Sequence, residues 1–128
     1  MVRIVLSAAM VGSLIAVAAF ADNAAVSPAF GNTIVSTYPD GRKAELWLQP
    51  NGSYTAEGRR HDPSRGHWNV KGDKLCLRQA RPVPMLFSFC TAIPQSGMNA
   101  AWSAKAATGE AITVRLVRGH GSGVDRGA

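Results

Sequence analysis

The fold is decided by residues 43–57, which read Lys43-Ala44-Glu45-Leu46-Trp47-Leu48-Gln49-Pro50-Asn51-Gly52-Ser53-Tyr54-Thr55-Ala56-Glu57. Before the central turn, alternation of apolar and polar residues places Ala44, Leu46 and Leu48 on one face of an extended chain. Tyr54 and Ala56 share a face after the turn for the same reason. Pro50-Asn51-Gly52 between two alternating runs is typical of a hairpin turn. The stretch therefore predicts two antiparallel strands with one buried face.

The same period of two continues along the chain, and no run keeps a helical apolar stripe for three turns. Pro39-Asp40-Gly41 marks an earlier turn, and residues 81–84, with two prolines, form a connection. The predicted strands cover residues 33–38, 43–49, 53–58, 66–70, 74–78, 86–92, 100–106 and the run around 112–116. We predict an all-β fold, a single small antiparallel meander of about eight strands. Sequential hairpins favour an up-and-down barrel, with a β-sandwich as the alternative.

The start of the chain is typical of a secretory signal peptide. Met1-Val2-Arg3 is positive, residues 4–18 are uncharged, and Ala19-Phe20-Ala21 has the small-x-small form of a cleavage site. We expect cleavage after Ala21; the alternative is an uncleaved membrane anchor, for which the apolar run is barely long enough. The predicted organisation is a signal peptide at 1–21, a flexible segment at 22–30, a β-barrel domain at 31–117 and a flexible tail at 118–128. Periplasmic or secreted localisation follows, with no transmembrane span after cleavage.

Composition supports one globular domain in an oxidising compartment. The chain has 128 residues, 46% of them hydrophobic, and a formal net charge of +6 that loss of Arg3 lowers by one. Its two cysteines are too few for a four-cysteine zinc site, and Cys76 and Cys90 have no other partner. We predict a disulfide between them. If Leu75, Leu77, Phe87 and Phe89 face the core, both cysteines face outward on neighbouring strands, which is compatible with the bridge.

One segment is similar to a known group of proteins. Gly66-His67-Trp68-Asn69-Val70-Lys71-Gly72-Asp73-Lys74-Leu75-Cys76 resembles the G-x-W-x-V-x-G-D-x-L-C segment of small exported bacterial β-domains, with a second cysteine in a context such as Phe89-Cys90. The similarity covers residues 31–92. It implies a secreted or periplasmic all-β domain with one disulfide, and no assigned activity. A looser similarity of shape links the chain to lipocalin-like and avidin-like barrels and to the periplasmic lysozyme inhibitors, where the local likeness is Ser96-Gly97.

Aromatic residues supply two kinds of candidate site. Trp47 alternates out of phase with Leu46 and Leu48, so an exposed Trp47 would be an interaction anchor. The alternative is that a terminal segment or loop covers it, or that the strand is bulged. A further set of aromatic residues is expected inside the barrel, either as core or as the lining of a ligand cavity: Tyr54, Trp68, Phe87, Phe89 and Trp102.

Basic residues are spread along the chain and are densest in one predicted loop, which carries Arg59, Arg60, His61 and Arg65. We interpret this loop as a candidate surface for an anionic envelope component or another periplasmic protein; the alternative is a solvated face. Nucleic acid is not an expected partner, because no aromatic-interleaved basic motif occurs. The histidines share no ligand spacing and no catalytic motif is present, so we expect no metal, no cofactor and no enzymatic activity. The competing hypothesis of an enzyme depends on His61-Asp62 alone.

The sequence thus predicts a non-enzymatic exported β-barrel that acts as an envelope or protein interaction module. The alternative is a lipocalin-like carrier of a small ligand. An interior cavity of at least about 300 Å³, open at one end, would favour the carrier.

Overall fold

The computed structural model describes residues 24–93 and 100–120. The eight strands are β1 (Thr33–Thr37), β2 (Lys43–Leu48), β3 (Ser53–Glu57), β4 (Pro63–Lys71), β5 (Lys74–Arg81), β6 (Phe89–Ala92), β7 (Ala101–Lys105) and β8 (Ala111–Val117). All pair antiparallel in one sheet of order β6-β5-β4-β3-β2-β1-β8-β7. Because β8 pairs with β1, the sheet curls into a nearly closed barrel. The two edge strands of the sheet are β6 and β7. The predicted all-β meander is confirmed.

Short turns set the register of the opening hairpins. At the β1–β2 turn, Gly41 has φ +87°, and the Arg42 N–H donates to the Asp40 side chain at 2.9 Å. At the β2–β3 turn, Gly52 has φ +93° and the Ser53 N–H donates to the Asn51 side chain at 3.0 Å. Glycine accepts these positive φ values without steric cost, and Asp and Asn satisfy backbone donors within the turn. Ile34 consequently lies opposite Leu46, and Leu48 opposite Tyr54.

One end of the barrel is closed by residues that precede β1. A 3-10 turn at Ser27–Ala29 brings Val26 and Ala29 into the core, where each is 6% exposed. They pack with Leu48, Tyr54, Trp68, Leu75 and Leu116. Residues 24–30 of the segment expected to be flexible are thus packed on the barrel, because the open barrel end offers apolar surface that this segment covers.

The segment after β8 is also packed, as far as it is described. The Thr33 hydroxyl donates to the Gly119 carbonyl at 2.7 Å, and the Gly119 N–H donates to the Asn32 side chain at 2.9 Å. At the start of the tail expected to be flexible, Gly119 is thus hydrogen-bonded to residues at the beginning of β1. The predicted signal peptide, the rest of the tail and Ser96-Gly97 lie outside the described residues.

The starts of β4 and β6 each lie three residues from the predicted positions, and β5 ends three residues later than predicted, at Arg81. The strand expected at 86–92 begins at Phe89, because residues 82–88 fold back along β5: Met85 N–H donates to the Gln79 carbonyl at 2.9 Å. The loop expected at 59–65 ends earlier, since β4 begins at Pro63 and includes Arg65. A bulge between Arg65 and Gly66 adjusts the pairing with β5.

Candidate functional site

The predicted disulfide is present. Cys76 and Cys90 are direct cross-strand partners on β5 and β6, and the S–S distance is 2.11 Å. Leu75 and Leu77 contribute to the interior, so Cys76 lies on the outer face as expected. Cys76 is nevertheless only 1% exposed. The bridge ties the end strand β6 to the rest of the sheet.

Trp47 is buried, with 7% exposure, and is not the exposed anchor that one hypothesis required. Its indole N–H donates to the Thr33 hydroxyl at 2.8 Å. The His120 ring lies 5.1 Å from the Trp47 ring, centroid to centroid. The structure agrees with the alternative stated for Trp47, in which a terminal segment covers its side chain.

Most of the other aromatic candidates lie inside the barrel. Trp68 belongs to the core cluster, donates its indole N–H to the Gln49 carbonyl at 2.9 Å and contacts Phe30. Phe89 is half-buried opposite Leu77, and Trp102 lines the interior beside the N-terminal segment. Tyr54 is buried, and this burial raises the pKa of its phenol above the ordinary value.

Phe87 is the exception and corrects the prediction of a core position. It is 80% exposed, because the fold-back of residues 82–88 carries it away from the interior-facing register that begins at Phe89.

The interior differs between the two ends of the barrel. Beside the N-terminal segment only about 80 Å³ remains, bounded by Val26, Ala29 and Trp102. Towards the opposite end a cleft of about 320 Å³ lies between Leu46, Tyr54, Ala56, Leu77 and Gln79. This cleft is large enough to meet the size that the carrier hypothesis requires.

Arg59 of the predicted basic loop is engaged by other side chains of the protein. Its guanidinium donates to both carboxylate oxygens of Glu110, at 2.9 Å and 3.3 Å, and lies 4.2 Å from the centroid of the Tyr38 ring. Asp40 lies 3.8 Å away. The hydrogen bonds that Arg59 donates to Glu110 raise the pKa of Arg59 above its ordinary value. Arg59 thus joins the loops after β1, β3 and β7 and is a poor candidate for ligand contact.

The other members of that loop separate. Arg60 is exposed in the β3–β4 turn, while Arg65 lies on the outer face of β4. His61, at φ +67°, places Nδ1 3.3 Å from a carboxylate oxygen of Glu57. His61 thus contacts Glu57, whereas the enzyme hypothesis depended on a pair of His61 with Asp62.

A basic surface that the sequence did not reveal lies on β4 and β5. The antiparallel register places His67 opposite Arg78, Lys71 opposite Lys74, and Arg65 opposite Arg81. Trp68, Val70, Leu75 and Leu77 fill the interior, so the alternate positions point outward. We call the resulting exposed set the basic wall; it consists of Arg65, His67, Lys71, Lys74, Arg78 and Arg81.

The basic wall has little compensating negative charge. None of its five Lys and Arg residues forms an ion pair with any residue in the ranges 24–93 and 100–120. Near its Arg65 and Arg81 end, Glu57 borders a groove of about 630 Å³ and contacts His61. Asp73 lies in the turn at the other end. The wall therefore presents a net positive field to its surroundings.

An exposed apolar loop runs along the edge of the basic wall. We call residues 82–88 the apolar loop: Val83, Leu86 and Phe87 in it are 67%, 79% and 80% exposed. The loop is held against β5, because Arg78 donates to the Met85 carbonyl at 3.2 Å and Gln79 donates to the Val83 carbonyl at 2.9 Å. Apolar and basic side chains thus share one surface.

Residues 24–93 and 100–120 contain no group of three or more His, Cys, Asp or Glu side chains placed to hold a metal ion. No helix in the same part of the chain has the length and apolar character needed to cross a membrane.

Comparisons leave the chain without an assigned relative: no protein-family model, no curated protein and no solved structure matches it.

Proposed function

We propose that this protein is a non-enzymatic, exported β-barrel domain that binds an anionic component of the cell envelope through the basic wall. One observation carries the proposal: β4 and β5 collect five exposed Lys and Arg side chains on one surface, without ion pairs to other described residues. Cations arranged in this way attract a polyanion and release its counterions on binding.

The test compares charge reversal on and off the wall. Arg65→Glu with Arg81→Glu should elute from phosphocellulose at clearly lower salt than the unmodified protein, because two wall cations become anions. Lys105→Glu with Arg118→Glu changes the net charge equally at exposed positions on β7 and just after β8, and is the matched control. Equal elution of the two double variants would contradict the proposal, because retention would then depend on net charge alone.

Export is part of the same proposal. Its support is the disulfide, which persists in oxidising compartments, together with the signal-like sequence at residues 1–21. Mass spectrometry of protein recovered from outside the cytoplasm should find a chain that begins at Asp22 and carries no free thiol. An intact Met1 terminus or a free thiol would contradict export.

A second candidate function, a carrier of a small ligand, is favoured by the interior cleft of about 320 Å³. The probe is 1-anilinonaphthalene-8-sulfonate, whose fluorescence rises in apolar surroundings. Ala56→Leu projects into the cleft and should reduce dye binding, whereas Leu86→Ser with Phe87→Ser removes the exposed apolar side chains and should not. The reverse pattern would reject the carrier.

A further inference from the structure

We infer that the anionic partner is a lipid bilayer surface and that the apolar loop inserts Leu86 and Phe87 into it while the basic wall contacts the headgroups. The inference rests on the proposed function and adds the partner and the mode of attachment. Among the described residues, the large apolar side chains that are strongly exposed all lie in this loop: Val83, Leu86 and Phe87.

The two surfaces are physically joined. Arg78 belongs to the basic wall and its Nε–H donates to the Met85 carbonyl, so one side chain links the wall to the centre of the apolar loop. Arg81 lies on β5 just before the loop, opposite Arg65 on β4. Cations therefore lie beside the side chains that would enter the apolar layer of the bilayer. Headgroup phosphates of a bilayer also lie beside inserted side chains, so the cations are placed to contact them.

The loop is shaped to present its apolar side chains rather than to bury them. Met85 N–H donates to the Gln79 carbonyl, and the Gln79 N–H contacts the Met85 sulfur at 3.3 Å. These contacts hold Met85 against β5 and leave Leu86 and Phe87 projecting outward. Because the backbone is anchored, insertion of the two side chains would not require the barrel to open.

Charge decides between an apolar protein partner and a lipid surface. A docking site for an apolar protein surface has few charges in its centre, whereas this loop is bordered by cations without ion pairs to described residues. Membrane attachment by a short apolar segment is weak alone and becomes stable when a polybasic surface supplies a second attraction. The chain offers both attractions on one side.

The experiment measures co-sedimentation of the full protein with vesicles of phosphatidylglycerol and phosphatidylcholine, and with vesicles of phosphatidylcholine alone. We expect binding to the first and much weaker binding to the second. Leu86→Ser with Phe87→Ser should lower the partition onto anionic vesicles by at least about tenfold, because two large apolar side chains no longer enter the bilayer. The same variant should keep its retention on phosphocellulose. Val83→Ser is a milder variant of the same loop and should have an intermediate effect.

Insertion has its own readout. In a Phe87→Trp variant, brominated acyl chains should quench fluorescence beyond the loss seen for the unmodified protein, whose three tryptophans report the background. Unchanged vesicle partition of the double Ser variant, or no added quenching, would overturn the inference while leaving the proposed function intact. Loss of self-association in the double Ser variant, without an effect on vesicles, would also overturn it by identifying a second copy as the occupant. Failure of the phosphocellulose test would instead reject the proposed function itself.

Discussion

Thr33 is a fully buried hydroxyl that joins three parts of the chain. It accepts a hydrogen bond from the Trp47 indole on β2 and donates one to the Gly119 carbonyl after β8. Trp47 is thereby removed from solvent although its strand position points outward. Alternation correctly assigns the face on which Trp47 lies, but it carries no information on a segment more than 70 residues later that covers that face.

We predict that Thr33→Val destabilises the protein by about 1–3 kcal/mol, because the Trp47 N–H and the Gly119 carbonyl both lose a buried partner. Thr33→Ser keeps the hydroxyl and is the control, with a smaller loss expected. Urea unfolding followed by tryptophan fluorescence measures both. A Val variant as stable as the Ser variant would show that the hydroxyl bonds contribute nothing net.

Tyr54 predicts a dependence of stability on alkaline pH. Burial raises the pKa of its phenol above 10.0, the value that applies when the chain is unfolded. The stabilisation is therefore fully present below that unfolded value and is lost as pH rises through the folded value. Tyr54→Phe removes this titration, so the free energy of unfolding should fall less steeply above about pH 10 in the variant than in the unmodified protein.

Urea midpoints measured at several pH values for both proteins provide the comparison. All other ionisable side chains are common to the two proteins, so the difference between the two curves isolates Tyr54. Parallel curves through the alkaline range would contradict the prediction.

At the scale of elements, the segment before β1 behaves as part of the barrel. Val26 and Ala29 close the end at which Leu48, Leu75 and Leu116 meet. We predict that Val26→Asp destabilises the protein by at least about 2 kcal/mol, because a carboxylate would replace an apolar side chain in the core. Ala24→Asp adds the same charge at an exposed position two residues earlier and should be nearly neutral. Equal stability of the two variants by thermal unfolding would show that the segment does not close the barrel.

The strands themselves could be predicted where local signals agree. Around the Asn51-Gly52 turn, alternation, turn residues and β-branched or aromatic content all favour the same hairpin, and β2 and β3 form there. At Phe87, alternation favours a strand, but two nearby prolines and contacts of Met85 with Gln79 hold the chain in a loop. Residues 24–30 have too few apolar positions to show a period, and their burial depends on an opening that exists only once the barrel has formed.

At the scale of the whole molecule, the distribution of charge follows from strand register. In the sequence, Arg65, Lys71, Lys74 and Arg78 are separate positions among many cations. Antiparallel pairing of β4 with β5 places them on one outer face, whereas Arg59, from the densest basic run, is turned towards Glu110. Local density of basic residues along the chain therefore does not identify this face, since side-chain direction in a sheet depends on alternation and partner strands rather than on spacing along the chain.

The disulfide stabilises the whole sheet because it joins β5 to the edge strand β6. The apolar loop lies immediately before β6 in the chain. Cys76 and Cys90 are 14 residues apart, and closing a loop of that size in the unfolded chain corresponds to about 3 kcal/mol. We predict that Cys76→Ala with Cys90→Ala lowers the free energy of unfolding by about that amount in urea. Addition of a reductant should lower the free energy of unfolding of the unmodified protein to that of the double Ala variant and leave the variant unchanged. If the reductant lowers the free energy of unfolding of both proteins equally, or if neither the substitution nor the reductant lowers it, the bridge does not stabilise the barrel. Its effect would then be a local one on the apolar loop, and vesicle partition of the double Ala variant would measure that effect.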